Sequence, residues 1–369
     1  MSAPERALAR VDVGAIARNC ERLRSLLGRG TELCAVVKAD GYGHGAAWAA
    51  KAALEGGATR LAVATAAEAE DLRRHGLSDP ILVMGALTRE EARLALEAGA
   101  EVVAWREAFA HSLTELAPQH LRPAPVHVKL DSGMGRLGTK EVDELRAVAA
   151  TVARDERLEL VGLMTHFATA DERGDEHFPA QLAAFAPLAE ELSGRYPQLA
   201  VHAANSAATL RDPASHFDMV RCGIAIYGLD PFHEDASARE LEPALSLESW
   251  VAAVKRFDPG DSAGYGRSWS ASESTWVGTL PIGYGDGWRR ALSNSGEVLV
   301  RGRRHPVVGT ISMDNLTIDL GPETEVEPGD PAVLIGEGIS AEEVARTLGT
   351  INYEVTCGLS PRVRRLHTR

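Results

Sequence analysis

Short apolar runs alternate with longer stretches of helical period through the first two-thirds of the chain. The runs are LCAVV, RLAVA, ILVMG, EVVAW, PVHVKLD, LVGLMTHF, LAVHAAN and FDMVRCGIAIYG. Between them lie stretches such as AAWAAKAALEGG, AAEAEDLRRHG and REEARLALEAGA. Their apolar positions recur at helical spacing, and glycine marks the stop in several. Strict strand–helix alternation predicts parallel strands joined by crossover helices. Eight strand candidates before residue 230 match the size of a (β/α)8 TIM-type barrel, which takes ~250 residues. An open doubly wound sheet is the alternative. Its glycine signature is absent, because DGYGHG, residues 40–45, has the wrong spacing.

The pattern changes after about residue 235. PALSLESWVAAVKRF, STWVGTLPIGYG, GEVLVRG, RHPVVGTISMDNLTIDL and PAVLIG are β-rich and separated by Gly, Pro and Asp turns. Only SAEEVARTLGT reads as a helix there, with Ser340 as its N-cap. RALARVDVGAI at the start reads as a strand that could join this C-terminal sheet. The expected organisation is a barrel over residues 12–235 and a mostly β domain over 236–369 together with 1–11, with HEDASARELEP as the linker.

Composition narrows the class. The chain has 369 residues, 45 % of them hydrophobic and 25 % charged, which is ordinary for a globular protein. No apolar run approaches the ~20 residues of a membrane span. MSAPERALARVDVG lacks the apolar core of a leader peptide, so the expected location is the cytoplasm. The four cysteines (Cys20, Cys34, Cys222, Cys357) are scattered, which fits a reducing compartment and argues against a structural zinc site. A formal net charge of -13 disfavours nucleic acid and anionic membranes as partners.

Active sites of such barrels lie at the C-terminal ends of the strands. Here those ends carry Lys38, then Lys129 and Asp131, His166, His202 with Asn205 and Ser206, and Arg221. An amine beside apolar residues is desolvated, and its neutral form attacks carbonyls. Lys38 is therefore a candidate nucleophile, with a snorkelling lysine as the alternative. The loop after it holds Gly41, Gly43 and Gly45, which admit close backbone approach, and Tyr42, a hydroxyl donor. Asn205 and Ser206 in NSAATL, and Gly223 and Ile224 after the eighth strand, are further phosphate elements, since the loops after strands seven and eight often hold one. An amine facing a phosphate cradle suits pyridoxal 5'-phosphate. Arg221 cannot accept a proton at ordinary pH. Donating to the pyridine nitrogen, it would keep that nitrogen unprotonated and the ring a weak electron sink. The alternative is an ion pair with Asp218. Arg136, in KLDSGMGRLG, is either a clamp for a substrate carboxylate or a surface arginine.

AVVKADGYGHG resembles the cofactor-lysine signature of bacterial alanine racemases. HVKLDSGMGRLG, LMTHFATAD, HAANSAA, MVRCGIAIYGLDP, AGYGRSW, LPIGYGDGW, VGTISMDN and NYEVTCGLSPRV agree in the same order, over nearly the whole chain. The resemblance implies a pyridoxal-phosphate enzyme that interconverts L- and D-alanine, supplies D-alanine for peptidoglycan, and works as a head-to-tail homodimer with sites at the interface. It implies Lys38 as the cofactor-bound lysine and one catalytic base, and Tyr265 of the second subunit as the other. Lysine handles the D-enantiomer's proton and tyrosine the L-enantiomer's, so the tyrosine must ionise well below its reference pKa of ~10. Tyr42, Ser206, Gly223, Ile224 and Tyr353 match phosphate contacts. Arg221 matches the residue on the pyridine nitrogen, and Arg136 that at the substrate carboxylate and the cofactor's phenolic oxygen. Lys129 matches a lysine carbamylated in many relatives, and His166 and His202 a network joining the tyrosine to Arg221. Met313 and Asp314 match residues contributed across the interface, and Tyr284 one lining the access channel. The tail departs from the family: PRVRRLHTR has Arg364 where proline is usual.

Three other readings remain. Serine or broad-specificity racemisation differs by too little for motifs to separate. A metal-dependent barrel hydrolase would use Lys129, His127, His166 and His202, yet lacks the paired histidines such enzymes carry after the first strand. A non-catalytic pyridoxal-phosphate carrier would have no β-domain. No metal is expected.

Overall fold

The computed structural model describes residues 5–117 and 122–369; residues 1–4, part of the terminal segment assigned above to the β-domain, lie outside them. It divides into two compact units: Ile16–Ile226, and Tyr227–Arg369 with the chain up to Ala15.

The first unit is the expected barrel. Its parallel strands are Glu32–Val36, Arg60–Val63, Ile81–Val83, Glu101–Ala104, Ala124–Lys129, Leu158–Met164, Ala200–His202 and Met219–Cys222. Seven pair with their sequence neighbours, and the eighth returns to pair with the first, Cys34 opposite Arg221. Between the seventh and eighth, Asp218 N donates to Val201 O and Arg221 N to Ala204 O, at 3.0 and 2.9 Å. Ile81–Val83, Glu101–Ala104 and Met219–Cys222 are buried throughout, as strands covered on both faces must be. Two crossover helices begin with reciprocal capping boxes, Thr65 with Glu68 and Thr88 with Glu91, each satisfying two orphan N–H groups.

The second unit is mostly β. Leu245–Trp250 and Leu316–Gly321 alternate buried and half-buried residues, the signature of sheets with one covered face. Leu8–Asp12 does join this unit: it lies antiparallel to Leu245–Trp250 and parallel to Arg364–Thr368. The unusual tail is therefore a sheet strand, and its Arg364 pairs with Glu5. Ser340 caps the helix Ala341–Leu348, accepting from Glu343 N.

Two expectations need correction. A second helix, Asn352–Cys357, follows the first. Its short span and β-branched residues hide it from periodicity. The proposed linker is also ordered, with a 3-10 turn at Ala236–Arg239. Arg239 grips the buried Asp230 carboxylate at 2.8 Å, and Asn352 Nδ2 donates to Asp230 O.

Candidate active site

The first barrel strand stops at Val36, and Lys38 opens a turn of the opposite hand. Ala39, Asp40, Gly41 and Tyr42 take φ of 51°, 52°, 61° and 54°. Left-handed helix costs a non-glycine residue roughly 1–2 kcal/mol, so the surroundings must enforce it. Glu68 Oε1 accepts from Ala39 N at 2.7 Å, and Asp40 Oδ1 from Ala46 N at 2.9 Å. Buried His44 places Nδ1 3.0 Å from the carbonyls of both Gly41 and Tyr42. Lys38 thus emerges from a locked, wound-back turn rather than a pliable glycine loop.

The turn buries Tyr42 against Gly223, where an added Cβ would lie 2.3 Å from the Tyr42 hydroxyl. Ser206 Oγ accepts from Gly223 N at 3.0 Å and Ala225 N at 3.3 Å. Tyr42, Ser206 and Gly223 therefore meet in space, though far apart in sequence. Ile224 opens a 3-10 turn, whose first N–H groups lack an intrahelical acceptor. Asn205 is the N-cap of helix Ser206–Arg211; its Oδ1 accepts from Ala208 N at 2.9 Å.

Opposite charges are scarce at the mouth. Burial, then the charges of Arg221, Arg136 and Lys38, pull the Lys129 amine down to about 8, while Asp131 opposes them. Burial, then Arg221, Arg136, Lys129 and Lys38, hold His166 well below the ordinary imidazole value. These cations therefore converge, as a phosphate and a substrate carboxylate require. Arg136 is exposed on a loop folded around Asp131, whose Oδ1 accepts from Gly133 N and Gly135 N at 3.1 and 3.0 Å.

Arg221 is buried, which lowers it to about 10 and still leaves it a cation at neutral pH. It donates through Nη1 to His202 Nδ1 at 2.9 Å. Nη2 donates its two hydrogens to Thr165 O and Ala203 O at 2.8 and 2.9 Å and lies 3.2 Å from His166 Nδ1. None of the described residues accepts from its Nε–H. Asp218 is not its partner, since Asp218 Oδ2 accepts from Val201 N at 2.8 Å. Behind His202, Nε2 lies 2.9 Å from His127 Nδ1, and His127 Nε2 lies 2.8 Å from Glu101 Oε2. Glu101 in turn is paired with Arg60. Both ring nitrogens of His127 are engaged in this chain, which leaves it no lone pair for a metal. Sequence reading missed Glu101 and Arg60. Their signal was only a charge opening an apolar strand, as in EVVAW and RLAVA.

The remaining candidates lie in the second unit. Tyr265 tops a hairpin of Ser262–Ala263 and Trp269–Ser270, and is 75 % exposed. Gly264 bridges to Thr310, and Gly285 N donates to Met313 O at 2.9 Å. The segment from Thr310 to Met313 thus ties together three loops presenting Tyr265, Tyr284 and Met313, all exposed. Asp314 pairs with Arg362 at 2.7 Å and Arg6 at 3.5 Å. Tyr353 lies on the helix missed in the sequence, its ring edge-on to His233.

A lysine in a cation-rich barrel mouth, beside a hydroxyl and N–H cradle and an arginine with a donor to spare, fits pyridoxal 5'-phosphate. The fold and site define a barrel enzyme of that cofactor class, extended by a β-domain. The N-terminal and C-terminal domain models of alanine racemase match residues 11–231 and 244–367. Alanine racemase of Geobacillus kaustophilus is 44 % identical over 365 residues, covering 97 % of this chain and 94 % of that one. The alanine racemase structure from E. faecalis superposes with a TM-score of 0.93 at 36 % identity, covering 99 % and 98 % of the two chains. That from Bacillus anthracis, with bound L-Ala-P, gives 0.91 at 39 % identity, covering 100 % and 96 %. The chain belongs to the alanine racemase family.

Proposed function

We propose that this protein interconverts L- and D-alanine with pyridoxal 5'-phosphate, as a homodimer in which each barrel mouth is completed by Tyr265 of the second copy, and that it supplies D-alanine for the cell wall from the cytoplasm. The observation that carries the reading is Arg221: a buried cation tied down by His202, His166 and two carbonyls, with its Nε–H left to donate. Among the described residues no carboxylate holds that position, since Asp218 is turned to Val201. A donor there leaves the pyridine nitrogen unprotonated, which restrains side routes that need a strong sink. When bound, the cofactor acidifies the substrate's α-carbon proton by conjugation.

The protein's own part follows from residue chemistry. Tyr42, Ser206, Gly223 and Ile224 bind the phosphate, with Tyr353 as a further contact. Lys38 would hold the cofactor, and its Nζ would take or return the α-proton on one face. Inversion needs a second acid–base group on the opposite face, and Tyr265 Oη supplies it. Its exposure on a hairpin supports a role towards another copy. Exposed Met313 and Tyr284 make that face apolar, as a docking surface should be, and Asp314 lies beside them. Arg136 holds the substrate carboxylate. Lys129 is a positioning residue for Arg136: an amine at about 8 has a neutral fraction at physiological pH, which carbamate formation requires.

The test is racemisation over a panel of L-amino acids, with and without added cofactor, beside a sedimentation measurement. Cofactor-dependent turnover selective for alanine by a dimer supports the reading. Preference for serine would move the substrate and keep the chemistry, and turnover without cofactor would overturn it.

A further inference from the structure

The hydrogen-bond chain behind Arg221 has a direction. Arg221 can only donate, so His202 Nδ1 must be the acceptor at 2.9 Å. A neutral imidazole carries one proton, which then sits on His202 Nε2. That N–H points at His127 Nδ1, 2.9 Å away, which must therefore be bare. His127 carries its proton on Nε2 and donates it to Glu101 Oε2 at 2.8 Å. Starting from the other end gives the same answer, because an ionised Glu101 only accepts. The two ends agree on one arrangement, and a proton added to His127 Nδ1 would face the N–H of His202.

Burial favours a neutral Glu101, but the hydrogen bond from His127 and the charge of Arg60 outweigh it and bring the carboxyl down to about 2. The far end of the chain is thus an anion at any working pH. Space for the chain is also reserved. Gly162 on the sixth strand is in register with His127 on the fifth and Ala200 on the seventh. A Cβ there would lie 1.9 Å from His127 Nδ1, in the place of the hydrogen bond. The backbone needs no glycine at this position, because no positive φ is recorded for it. The missing side chain serves the contact alone.

We propose that Glu101, His127 and Gly162 form a tautomer lock inside the barrel, which holds His202 as a pure acceptor and so fixes the orientation in which Arg221 presents its free donor at the mouth. Glu101 and His127 are positioning residues for the racemisation, and the mechanistic part of the inference rests on the role of Arg221 given above. The lock explains why a carboxylate is buried at the start of the fourth strand, remote from the reacting atoms.

The test is a long-range proton–nitrogen NMR spectrum of the holoenzyme with 15N-labelled histidine. Neutral rings with protons on Nε2 are expected for both His127 and His202. A proton on Nδ1 of either ring, or an imidazolium, overturns the lock. The second arm is Arg221→Glu, alone and combined with Glu101→Gln. Alone, the introduced carboxylate demands a donor from His202 Nδ1 while Glu101 still demands one from His127 Nε2. The two bare nitrogens would then face each other, and the pair must take up a proton, visible as an imidazolium. In the double variant the new amide can donate, every tautomer reverses, and the imidazolium disappears. Its persistence in the double variant, or its absence in the single one, refutes the proposal. Gly162→Ala should shift both histidine spectra and lower turnover at least about tenfold, and unchanged spectra refute it too. These spectra are independent of substrate. Correct tautomers in a protein that does not racemise alanine would leave the lock standing and remove the proposed activity.

Discussion

Replacing Gly41 by alanine tests whether the left-handed turn after Lys38 is enforced against its own preference. Gly41 has φ +61°, and an added Cβ would lie 3.2 Å from both N and Cα of Ala46 and 3.3 Å from the Ala49 methyl. The left-handed conformation costs alanine roughly 1–2 kcal/mol. Alanine also loses less chain entropy on folding, which returns about 0.4–1 kcal/mol. The backbone contacts must open by a few tenths of an ångström, and they lie at the start of a helix with one buried face. Strain less entropy leaves a destabilisation of about 0–1.6 kcal/mol, and opening the contacts brings it to about 1–2 kcal/mol, or a thermal midpoint lower by roughly 2–8 °C for a unit of this size. Gly194 is the control. It lies within the helix His177–Arg195 with nothing within 4 Å of an added Cβ, so Gly194→Ala should be stabilising by up to about 1 kcal/mol. Ala39→Gly, at an exposed residue with φ 51°, should be neutral or stabilising in the fold and should loosen Lys38. The assay is thermal denaturation of the three variants at matched cofactor concentration. A shift of the same sign for Gly41→Ala and Gly194→Ala would refute the strain argument.

Tyr265→Phe should cut L-to-D turnover at least about 100-fold, the lower range for a lost acid–base group, with cofactor absorbance intact. Wild-type rates in both directions would remove the two-base assignment. Labelled 13C-bicarbonate should give a carbamate resonance at pH 8 that Lys129→Ala abolishes, because the amine titrates near 8. Acid stability should report Glu101. Its folded pKa of about 2 lies below the ordinary 4.5, so its contribution is complete above about pH 4.5 and lost as pH falls towards 2. That contribution is about 3 kcal/mol, and the deficit of Glu101→Gln in urea titrations should shrink across that window. Lys129 has the same slope in a higher window: its depressed pKa makes stability rise from pH 8 to 10.5, as the cost of burying its charge disappears.

The barrel strands were legible because burial on both faces leaves apolar runs, and the helices between them because they follow a 3.6-residue period. The second C-terminal helix was not, since Asn352–Cys357 spans less than two turns and shows no period. Lys38 stood out at its strand end, yet the hand of the turn beyond it did not. A left-handed conformation at Ala39 and Asp40 runs against local preference and is held by Glu68 and Ala46.

Residue types and their order determined the fold class, the cofactor chemistry and most of the site, because each strand end of such a barrel must deliver its side chains to one mouth. Only the tertiary structure decided which way Arg221 faces. A hydrogen bond's direction depends on partners that are distant in sequence. Glu101, His127, His202 and Arg221 come from four strands, and they agree on one set of protons only when the barrel brings each within 3 Å of the next.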